Sequence, residues 1–131
     1  MIRLARVDRR ALEFDFDQDG LQVLMRSVRA LLDDPHGTVQ LAAQFDVAIV
    51  KRRQPKLIDG TLVLGVGAGT IERLNDKDTL KWLLEDDEAE YLLDRLTEYE
   101  SLGYFSPAEF VQVRCAKRTK LDTIYFGGPH W

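Results

Sequence analysis

Cysteine occurs once in the 131 residues, at Cys115, and histidine only twice, at His36 and His130. One cysteine excludes an internal disulfide framework, and two scattered histidines leave little from which to build a metal centre. No apolar run approaches the roughly 18 residues that a membrane helix needs. The opening Met1-Ile2-Arg3-Leu4-Ala5-Arg6 lacks the continuous apolar stretch of a secretory signal, so the expected compartment is the cytoplasm. Basic residues are in deficit: 18 Lys and Arg stand against 22 Asp and Glu, a formal net charge of −4. Such a chain has no general attraction for nucleic acid or anionic lipid and suits a partner with a basic surface.

What is present is an ordinary globular balance, 45% hydrophobic and 31% charged, at a length that suits a single domain over residues 1–131. Residues 2–7 alternate apolar and polar as a half-buried strand does, and 11–16 (ALEFDF) do so again, with Leu12, Phe14 and Phe16 on one side. Asp17 or Asp19 can cap a helix whose apolar stripe is Leu21, Leu24, Met25, Val28, Leu31 and Leu32. Asp34-Pro35-His36-Gly37 stops it. Residues 38–50 read as one long strand or two short ones, residues 61–64 as a buried strand, and Gly65-Val66-Gly67-Ala68-Gly69 as a turn or bulge.

The second half then repeats the first. A shift of 68 residues lays 8–31 over 76–99 without a gap: Leu12 meets Leu80, Phe14 meets Trp82, Phe16 meets Leu84 and Asp17 meets Glu85. Leu21, Leu24, Met25, Val28 and Leu31 meet Ala89, Leu92, Leu93, Leu96 and Tyr99. Further on, Val39-Gln40-Leu41 matches Val111-Gln112-Val113, and Thr61-Leu62-Val63-Leu64-Gly65 matches Thr123-Ile124-Tyr125-Phe126-Gly127. The expected fold is α+β: two tandem ββαββ units, about 1–67 and 68–131, forming an antiparallel sheet with both helices on one face. Phe14 and Trp82 are expected at equivalent places, each facing its own helix.

The chemical motifs are incomplete. Asp15-Phe16-Asp17-Gln18-Asp19-Gly20 has the spacing that opens a calcium loop, but Arg26 stands where the loop needs its bidentate Glu. The glycines at 65, 67 and 69 miss the dinucleotide spacing, and strands rather than a phosphate-binding helix follow. Cys115 alternates with Val113 and Val111 as a core thiol would. The sequence therefore predicts no catalytic residue, no metal site and no cofactor.

Two charge features remain. Basic turns at 51–56 (Lys51, Arg52, Arg53, Lys56) and 117–120 (Lys117, Arg118, Lys120) recur at matching places. Opposed to them is an acidic run that begins at Glu85, Asp86 and Asp87 and continues along the second helix through Glu90 and Asp94. Acids suit the first turn of a helix, but this run outlasts it. Arg26 and Arg29 stand in the first helix where Asp94 and Thr97 stand in the second. Glu85, Asp86, Asp87, Glu90 and Asp94, with the terminal Trp131 as an aromatic anchor, form the candidate partner-binding surface.

The run LEFDFDQDGLQVLMRSVRALLDDPHGTVQL, followed by DGTLVLGVG, resembles small bacterial immunity proteins of polymorphic toxin systems. In one such group a strand leads to a G-L-x-x-L stretch that opens a helix, then a His-containing turn, then paired strands. Gly20-Leu21-Gln22-Val23-Leu24 and His36 match those places, and the resemblance spans about residues 11–67. It implies a non-enzymatic inhibitor that binds a cognate toxin and blocks it. Two rival readings are a ligand-binding domain or enzyme with a cleft between the repeats, drawing on His36, Cys115 and Asp19, and a nucleic-acid adaptor working through the basic turns.

Overall fold

The computed structural model describes residues 1–6, 11–46, 57–74, 78–103, 110–112 and 123–126. Strands β1 (Ile2–Arg6) and β2 (Ala11–Phe16) form where the sequence alternates, and they pair antiparallel with Leu4 opposite Phe14 and Ile2 opposite Phe16. Helix α1 (Gln18–Asp33) begins at Asp17, whose carboxylate accepts from the Gly20 backbone N–H at 2.8 Å. Its stripe buries Leu21, Leu24, Met25, Val28 and Leu31, while Leu32 is half-buried. It ends at Asp34, just before Pro35.

Strand β3 (Thr38–Asp46) is a single strand, and β4 (Leu57–Val66) begins earlier than its apolar centre suggests. A turn over Gly67, Ala68 and Gly69 leads to β5 (Thr70–Leu74) and then β6 (Thr79–Leu84). Gly69 takes φ +74°, the left-handed conformation that glycine tolerates and side chains resist. Helix α2 (Asp86–Leu102) follows, then the short strands β7 (Phe110–Gln112) and β8 (Thr123–Phe126). Residues 79–84 are a strand and do not extend α2, although their leucines also fit helical spacing.

The eight strands form one sheet in the order β5-β6-β4-β3-β1-β2-β8-β7. It is mixed, which corrects the expectation of an antiparallel sheet: β1–β3, β2–β8 and β4–β6 run parallel. The β1–β3 pair is parallel because β1 lies between β2 and β3: α1 links β2 to a β3 that runs the opposite way, and β1, antiparallel to β2, then runs with β3. The β4–β6 pair has another cause. Strands β4 and β5 share a short turn, yet β6 takes the place between them. Leu80, Trp82 and Leu84 of β6 are fully buried, whereas β5 carries Glu72 and Arg73 and lies at the edge, where charge is tolerated.

Cross-strand partners share a face. Ile71, Trp82 and Leu64 fall on one side of the sheet in register, as do Phe45, Leu4 and Phe14. These residues and the stripes of both helices belong to one core cluster. The rings of Phe14 and Trp82 are not confined to separate halves: they meet, 6.0 Å apart between centroids. The two helices also touch. Phe16, just before α1, stacks edge-on against Tyr99 near the end of α2 at 5.3 Å, and Gln22 hydrogen-bonds Glu100. The start of α1 therefore lies beside the end of α2.

Candidate functional site: the acidic face of the second helix

Helix α2 is positioned by four residues, Ala89, Leu92, Leu96 and Tyr99, all buried. At 100° per residue these fall on one side, and Asp87, Glu90 and Asp94 fall on the opposite side. Those three are exposed, as is Asp86 in the first turn. The sequence-predicted acids are thus brought onto one solvent-facing stripe, with Glu85 the exception. Glu85 is the N-cap residue: its backbone N–H donates to the Glu88 carboxylate at 3.0 Å, closing a capping box. Its side chain is half-buried and lies against Gly69, where an added Cβ would sit 3.3 Å from Glu85 and 2.9 Å from Glu88. Glu85 is held by the helix start. Trp131 lies outside the described residues, and so do the basic turns at 51–56 and 117–120.

Residues 85–102 hold eight of the 22 acids, and Arg95 is the lone basic residue among them. Arg95 pairs with Glu98 at 3.2 Å. Asp86, Asp87, Glu90 and Asp94 form no ion pair with any described residue. The helix dipole favours the acids of the first turn. It fades beyond that turn, so Glu90 and Asp94 gain nothing from it, and the last turn holds no basic residue. Spacing adds a second penalty, since Asp86–Glu90, Glu90–Asp94 and Asp94–Glu98 are like-charge pairs at i,i+4. Each costs an isolated helix about 0.2–0.5 kcal/mol.

Sequence reasoning missed Tyr91, which is 42% exposed and sits one turn beyond Asp87. The available signal was its place off the apolar stripe, because helical spacing carries residue 91 away from Ala89, Leu92 and Leu96. On α1 the corresponding face carries Arg26 and Arg29, both exposed.

The carboxylates that suggested a calcium loop are dispersed by the fold. Asp15 is buried in β2 and pairs with Arg3 at 3.6 Å, Asp17 caps α1, and Asp19 lies in its first turn. Among the described residues, no three His, Cys, Asp or Glu side chains come together to hold a metal ion. No helix among them is long and apolar enough to cross a membrane. A hollow of about 310 Å³ is lined by Met1, Ile2, Ala42, Ala43, Gln44, Asp59 and Gly60, at the start of β1 and along β3 and β4. It includes neither His36, which is exposed in the turn after α1, nor Asp19; Cys115 lies outside the described residues. No family model, no curated protein and no solved structure matches the chain.

Proposed function

We propose that the protein is a non-enzymatic, protein-binding inhibitor, an immunity protein that docks a basic surface of a cognate bacterial toxin in the cytoplasm through the solvent face of α2. The observation that carries this reading is the cost built into that face. Acids at Glu90 and Asp94 lie beyond the turn that the dipole favours, repel one another at i,i+4, and have no basic partner among the described residues. A basic partner removes that repulsion on binding and gains association rate by electrostatic steering. Tyr91, exposed among the acids, supplies apolar contact area of the kind that anchors interfaces. The resemblance of residues 11–67 to immunity proteins points the same way.

The same proposal includes the internal repeat, two tandem ββαββ units. Strand pairing supports it. Exchanging β1–β4 with β5–β8 turns β1–β2 into β5–β6, β3–β4 into β7–β8, and β4–β6 into β8–β2, each with its direction kept; the β1–β3 pair has no counterpart, since β5 and β7 lie at opposite edges. Phe14 faces Leu4 as Trp82 faces Ile71, which keeps the 68-residue shift for the second strand of each pair and needs a shift of 67, one residue less, for the first. The register amends one match: Leu41 opposite Leu62 corresponds to Val111 opposite Ile124, so Val111 aligns with Leu41 and not with Val39. On this reading one unit kept a mixed helix face and the other became acidic.

The test is capture from the native host, with the wild type and an Asp86→Lys, Asp87→Lys, Asp94→Lys variant side by side. Circular dichroism must first show equal helix content. The wild type is expected to retain a basic protein, identified by mass spectrometry, that the variant releases. Equal retention by both, or no retained protein at all, overturns the proposal.

A further inference from the structure

We draw no further inference here: the strongest candidate, the hollow between the start of β1 and the β3–β4 pair, is lined by successive strand residues (Ala43 opposite Gly60, Gln44 opposite Asp59) that alternate between the two faces of the sheet, so no set of side chains converges on a ligand and nothing in the structure shows what fills it.

Discussion

Phe14 and Trp82 lie four strands apart in the sheet, yet their ring centroids are 6.0 Å from each other with planes tilted by 49°. At about 4.8 Å per strand, a flat sheet would separate these positions by roughly 19 Å. The sheet must therefore curl, so that side chains from β2 and β6 converge on its concave side. The two rings are the residues that the 68-residue shift superimposes, and both are fully buried.

Removing either ring should be costly and not independent of the other. Trp82→Ala is expected to lower stability by about 3–5 kcal/mol, and Phe14→Ala by a similar amount. In a double-mutant cycle by urea unfolding, the pair should show a coupling of about 0.5–1.5 kcal/mol, the range for aromatic contacts. Strict additivity would mean that the contact between the rings contributes nothing of its own.

Burial raises the pKa of the Tyr99 phenol above its ordinary value. The unfolded phenol ionises near pH 10, while the folded one keeps its proton to higher pH. Above about pH 10 the native state therefore binds more protons than the unfolded state, and stability falls as pH rises; below it the contribution is fully present. Tyr99→Phe should flatten this decline without altering stability at neutral pH by more than the lost hydroxyl. Thermal unfolding between pH 8 and 11 measures the difference.

Two glycines should respond differently to alanine. At Gly60 an added Cβ would lie 2.5 Å from the Asp78 carbonyl oxygen and 2.6 Å from the Phe45 ring, which is itself fully buried. Overpacking of this kind costs about 1–3 kcal/mol. At Gly103, the left-handed end of α2, nothing lies within 4 Å, and only the backbone resists, at about 1 kcal/mol. Gly60→Ala is expected to lower the denaturant midpoint more than Gly103→Ala does.

Asp94→Lys should leave the fold intact and stabilise it. The change replaces two repulsive i,i+4 pairs with attractive ones, Glu90 with Lys and Lys with Glu98, and is expected to add about 1–2 kcal/mol at low salt. The gain should fade in 1 M salt, where surface charges are screened. A variant that is more stable and yet loses its partner would separate a docking role from a folding role for this acid.

Local signals were the legible part of this fold. Strand β2 spans Ala11–Phe16 as its alternation predicts, and α1 takes Asp17 as its cap, because each depends on a few neighbouring side chains. Strand neighbours were less legible. A short turn between β4 and β5 predicts that they pair, but β6 separates them, since three fully buried side chains favour an interior place over adjacency in sequence. The acids of the candidate site could be read from the sequence because charge on a helix face follows from spacing alone. The engagement of Glu85 at the cap could be read only in part, because its contact with Gly69 depends on how the turn before β5 folds back.

The pairing of β2 with β8 sets the order in which the molecule can be completed. Ala11 lies opposite Thr123, roughly 110 residues away along the chain. As synthesis proceeds from the amino terminus, β1, β2 and α1 emerge early, but one edge of β2 stays unpaired until β8 has left the ribosome. Loop closure over that distance is slow compared with helix formation, so the chain belongs among folders of high contact order. During that interval the β2 edge, in a strand with alternating phenylalanines, is open to pairing with another chain.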